Sequence, residues 1–200
     1  MQIFVLIYCS YLISYFAVAI VIDPIQQTWV GDLFVGSLVF LPHGIRVLAT
    51  WLYREMAIIP LAAGQFTLWV MVWKMDLPIS HIAAGSLISG ACVYIVMQSL
   101  LYSKIIADNK GFESLNWRSI MFIAAISSFI NGVGNLLLIG GTVDLDAELQ
   151  QLVAWIIGDT LGAFAILIVA MFCFRYIRLS SRRQKPQTLN SPEEHKSGRS

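Results

Sequence analysis

The sequence predicts an all-α fold, a polytopic membrane helix bundle of about six transmembrane helices, and three observations carry that expectation. Hydrophobic residues make up 58% of the chain and charged ones 12%, with a mean hydropathy of +0.73, whereas a soluble domain carries roughly 25% charged residues. Apolar runs recur that approach the ~20 helical residues needed to cross a hydrocarbon core ~30 Å thick. The breaks between them alternate in charge, as topology rules for short loops require.

The first run, 3–22, lacks a basic segment before it and is longer than the apolar stretch of a secretory signal, so it reads as an uncleaved helix. Its polar residues are Ser10 and Ser14, which makes it the expected peripheral helix. The second, 30–53, contains "LPHGIR" at its centre. Pro42 lacks an amide donor and Gly44 frees the backbone, so the second helix should be kinked or interrupted at Pro42–Gly44. Irregular backbone at that depth is tolerated only where protein or water meets its freed polar groups, and an interrupted helix offers two half-helix ends able to hold a small ion or ligand. The third run, 57–73, is short and flanked by Arg54 and Lys74, and it is followed by 78–102, 117–140 and 152–174.

The connections are brief except 103–116, so 1–174 reads as one transmembrane helical domain. Residues 175–200 carry almost no large apolar side chains after the first few and are expected to form a disordered cytoplasmic tail. Its basic start, Arg175, Arg178, Arg182, Arg183 and Lys185, suits a stop-transfer flank.

Charge placement sets the orientation. Breaks one, three and five hold Asp23, Lys74, Asp76, Asp144, Asp146 and Glu148, whereas Arg54, Lys104, Lys110 and the tail carry most of the bases. Both termini should therefore be cytoplasmic in a multi-pass protein. The net charge of +1 gives no case for a nucleic-acid partner. Cys9, Cys92 and Cys173 lie in apolar runs with no Cys-x-x-Cys or Cys/His cluster, so they read as small hydrophobes rather than metal ligands, and no cofactor is called for.

Laid across the membrane at about 1.5 Å per residue, the runs gather polar groups at similar depth: His43 with Arg46, Gln65 with Thr67, Ser86 with Ser89, Ser127 with Asn131, and Asp159 slightly outward. Asn131 and Asn135 are four apart, on one helix face that Ser127 extends by a turn. An Arg or Asp at the bilayer centre costs about 2.5 kcal/mol or more on insertion scales, so intramembrane ionisable groups point to pathways or sites. The competing reading is interhelical glue, at about 0.6 kcal/mol per hydrogen bond. The candidate ligand-binding set is His43, Arg46, Gln65, Ser89, Asn131, Asn135 and Asp159. Gly158 and Gly162 permit close helix approach and turn Asp159 inward, as the expected partner of Arg46 or His43.

The stretch "LPHGIRVLATWLYREMAIIPLAAG" resembles the type-one membrane-associated sensor (MASE-type) domain of bacterial signalling proteins, through Pro42, Gly44, Ala49, Leu52, Arg54, Pro60 and Gly64. "WIIGDTLG" is similar to the family's closing pattern, with Trp155, Gly158, Asp159 and Gly162. His43 and Arg46 stand where that family carries small or apolar residues. The resemblance implies a bacterial inner-membrane input module that passes a signal to an output domain. Here only a short tail follows Arg175, so a separate signalling partner is expected.

Three function classes then compete: a sensory or ligand-binding membrane domain, a small-molecule transporter or the substrate-binding subunit of a transport complex, and an intramembrane hydrolase using Asp32 and Asp159. The last is disfavoured because Ile156 stands where a Gly-x-Gly-Asp pattern needs its first glycine. The expectation is a sensory domain without enzymatic activity, with the lipid bilayer, a small-molecule ligand and a partner protein as its contacts.

Overall fold

The structure is a computed structural model that describes residues 1–30, 37–74, 77–106, 117–139 and 145–183. Asp32, most of the 103–116 connection and residues 184–200 of the expected tail lie outside the described residues. Every regular element described is helical. They are α1 (Gln2–Ala17), α2 (Asp23–Val30), α3 (Leu41–Tyr53), α4 (Ile58–Thr67), α5 (Ile79–Tyr102), α6 (Trp117–Ile139) and α7 (Leu145–Arg183). A π-helical turn, Val18–Ile22, joins α1 to α2, and another, Leu68–Val72, prolongs α4.

Five helical stretches are long and apolar enough to cross a membrane: Gln2–Trp29, Leu41–Val72, Ile79–Tyr102, Trp117–Leu138 and Glu148–Ile177. By length and hydropathy they fit a multi-pass membrane protein. Outward-facing Ile13, Ile20, Leu87, Ile95, Phe129 and Leu137 are exposed, as lipid-facing positions should be. Exposed Trp29, Trp73, Tyr102 and Trp117 stand at or near helix ends, where amphipathic rings suit the interface.

The second stretch does not run straight. Arg46 of α3 donates to Gln65 of α4, yet a straight helix would hold residues so spaced about 28 Å apart. The chain turns back through a 3-10 turn at Arg54–Ala57, opened by Arg54 at φ 53°. Arg54 reaches Met97 near the end of α5, and α4 returns until Trp69 lies against Gly85 near the start of α5. At Gly90 α5 lies directly on the backbone of α4, because a Cβ there would lie 2.8 Å from the Ile58 carbonyl oxygen.

The break in regular backbone falls before Pro42 rather than at Pro42–Gly44. Pro42 sits in the first turn of α3, where its missing N–H is not needed, and Gly44 continues the helix. Among the described residues, those that directly precede α3 outside any helix are 37–40. Their freed donors find acceptors: Leu38 N–H donates to Gln26 Oε1 at 2.6 Å and Phe40 N–H to the Gly158 carbonyl at 2.9 Å. A Cβ at Gly158 would stand 2.1 Å from the Ser37 oxygen, and one at Gly162 2.0 Å from the Phe40 oxygen. The two glycines of α7 thus form a bare track for the backbone of 37–40.

The interior is apolar around Val47, Trp51, Val93, Val96, Met97, Ile120, Ile123 and Leu167, with a second cluster of Ile7, Tyr11, Ala49, Leu61 and Leu68. Contacts divide the chain into Met1–Leu167, which holds everything discussed below, and Ile168–Ser200. In the latter the helix persists to Arg183, beyond the expected end of the sixth run at 174.

Candidate functional site

All seven candidate residues are buried, with His43 fully enclosed and Asn131 the most open at 9% exposure. They fall into two groups.

The larger group lies between α3, α5, α6 and α7. His43 is brought to Asp159 by the same contact that fixes the non-helical segment: Phe40 bonds to the Gly158 carbonyl, so the next residue of α7 faces the first turn of α3. His43 Nδ1 lies 3.4 Å from Asp159 Oδ2, close enough for an ion pair but not aligned as a hydrogen bond. On the other edge of the ring, Nε2 is 3.1 Å from the Ala124 carbonyl and 3.3 Å from Ser127 Oγ. A carbonyl only accepts, so Nε2 carries a hydrogen. Nδ1 is the edge of the ring that faces the carboxyl.

Asp159 Oδ2 accepts from Ser128 Oγ and Asn131 Nδ2, each at 3.4 Å. Asn131 passes the network on: its Oδ1 accepts from Ser89 Oγ at 2.8 Å and from Asn135 Nδ2 at 3.0 Å. Asn135 Oδ1 and the indole nitrogen of Trp69 have no partner. Both residues crowd Gly85, where a Cβ would meet Trp69 at 2.5 Å and Asn135 Oδ1 at 2.9 Å.

The second group lies between α1, α3 and α4. Arg46, 2% exposed, donates through Nη2 to Tyr11 Oη at 2.8 Å and to Gln65 Oε1 at 3.0 Å. Tyr11 Oη in turn donates to Gln65. The rings of Tyr11 and Phe40 lie 5.5 and 5.9 Å from the guanidinium carbon. Nε and Nη1 of Arg46 have no hydrogen-bond partner, nor has Thr50 Oγ1 one turn further along α3. Asp159 is thus the partner of His43, and the structure gives Arg46 neutral partners instead.

Tyr11 corrects the expectation that the first helix is peripheral, for it is completely buried and touches both Arg46 and Gln65. A signal existed: tyrosine in membrane helices favours the interfaces, and Tyr11 is placed mid-run. Thr50 was equally legible as a residue four after Arg46 on one face. No group of three or more His, Cys, Asp or Glu that could hold a metal comes together among the described residues.

Fold and site together define an all-helical chain, fitted to a membrane, whose interior carries buried ionisable groups in partly unsatisfied polar networks. Compared with known proteins, it matches no family model, no curated protein and no solved structure.

Proposed function

We propose that the chain is a ligand-binding sensory domain of the bacterial cytoplasmic membrane, a divergent relative of the MASE-type modules, that passes its signal to a separate partner protein. In this reading α3 and α4 are separate crossings, giving six with both termini in the cytoplasm. The reversal at Arg54–Ala57 and the charge alternation support that count.

One observation carries the reading: buried charged and polar groups on adjacent helices keep donors and acceptors that their neighbours do not use, at Arg46, Thr50, Trp69 and Asn135. Interhelical glue is expected to be satisfied, because an unpaired buried polar group costs about 1–3 kcal/mol. Groups that complete their bonding with a ligand have reason to remain open.

A transport reading draws on a different observation, the non-helical segment 37–40 held on the glycine track of α7, since broken helices at depth are common in transporters. Reconstitution of the purified chain alone in liposomes separates the two. A sensory domain binds solute without catalysing its exchange across the bilayer. Saturable counterflow of a small solute would replace the sensory reading with transport.

A further inference from the structure

We infer that Arg46 and Thr50 form the recognition point for the carboxylate of a small monocarboxylic acid whose apolar body lies beside the rings of Tyr11 and Phe40. The inference deepens the ligand-binding reading above and rests on it.

Arg46 carries a permanent charge, because a guanidinium does not deprotonate in proteins. It is almost wholly enclosed, and the ion pair between His43 and Asp159 does not include it. Asp159 acts on this charge without bonding to it, and a buried charge whose bonded partners are all neutral is an unfavourable arrangement. The neutral oxygens of Tyr11 and Gln65 occupy Nη2 alone. The Nε hydrogen and both hydrogens of Nη1 are left without an acceptor.

Thr50 adds a donor on the same helix face. A threonine inside a helix commonly bonds back to the carbonyl one turn before it, but its hydroxyl makes no such bond here although the residue is fully buried. Guanidinium and hydroxyl together offer several donors and one positive charge. A carboxylate supplies acceptor oxygens and one negative charge, so the two cancel. A phosphate dianion would leave excess charge in an apolar interior, which is disfavoured. The aromatic faces beside the guanidinium suit an acid with an apolar body rather than a polar one.

The same chemistry is presented by a soluble acid and by a fatty acid from the bilayer. The experiment uses the full chain purified in an uncharged detergent, with thermal unfolding followed at constant ionic strength against benzoate, butyrate and laurate, and against benzamide and inorganic phosphate. Benzoate or butyrate should raise the midpoint saturably while benzamide does not. A rise with laurate alone would place the source in the lipid and keep the carboxylate chemistry. Arg46→Lys, which keeps the charge and loses the planar donors, should weaken the acid at least tenfold. Thr50→Val, nearly isosteric and expected to fold if the lysine variant does not, should weaken it several-fold.

No saturable shift with any acid, an equal shift with benzamide, a shift with phosphate alone, or affinity unchanged in whichever variant folds would overturn the inference. The measurement involves no partner protein. Binding that depends on Arg46 without any response in a partner would sink the signalling reading and leave this one standing.

Discussion

Gln65 accepts a hydrogen bond from Arg46 at 3.0 Å although 19 positions separate them. That bond can form only because the chain reverses at Arg54–Ala57, so it reports the fold and the site at once. A double-mutant cycle of Arg46→Gln and Gln65→Leu, scored by stability in detergent, should give a coupling of at least ~0.5 kcal/mol, the lower range for residues in one network. The cycle of Arg46→Gln with Asp159→Asn should give the smaller coupling, because Asp159 is engaged with His43.

The pair at His43 and Asp159 predicts an asymmetry between two substitutions. Asp159→Asn can keep its amide oxygen in the place of Oδ2, as the acceptor for Ser128 and Asn131, so it should cost within about 1 kcal/mol. Asp159→Leu leaves the Asn131 amide without its acceptor, while Ser128 retains the Ile156 carbonyl, and should cost about 1–3 kcal/mol. Chemical unfolding of both variants in mild detergent measures the difference. Equal costs would mean that the carboxyl makes no bond worth keeping.

The glycine track of α7 makes a steric prediction. Gly162→Ala sets a Cβ 2.0 Å from the Phe40 oxygen, which is backbone and cannot swing aside. A loss of about 3 kcal/mol, at the upper end of ordinary overpacking, is expected. Gly132→Ala meets only the tip of Leu152, at 2.7 Å, and should cost less than about 1 kcal/mol because that side chain can rotate. Thermal stability of the two variants, compared side by side, is sufficient to decide.

Much of this was legible in the sequence. Composition and run length predict helices fit for a membrane, and the depth reckoning selected seven polar residues that are all buried. Spacing could not say which of them meet. The glycine spacing around Asp159 turns it inward but leaves Arg46 and His43 both open as its partner, and the choice is made by the Phe40 bond to Gly158, a backbone contact no side-chain pattern announces. Pro42 and Gly44 suggest a kink at that pair, yet a missing donor also suits proline to the first turn of a helix, and the irregular backbone lies just before it.

The orientation remains a direct prediction of the charges. Reporter fusions after Gly111 and after Lys185 should report the cytoplasm, and one after Asp146 the outside. A cytoplasmic Asp146 would reverse the account of which helix ends face the cell interior.

The central claim is that the buried polar interior receives a small solute and is not only glue between helices. Single cysteines at Gln65, Ser89 and Asn131, in a chain whose own Cys9, Cys92 and Cys173 are replaced, test it most directly when treated in intact membranes with a small water-soluble thiol reagent. Their labelling rates are compared with those of cysteines at the equally buried apolar positions Val93 and Ile123. The account predicts labelling at least about tenfold faster at the polar positions, a difference of ~1.4 kcal/mol in access. Polar positions as inert as Val93 and Ile123 would contradict it.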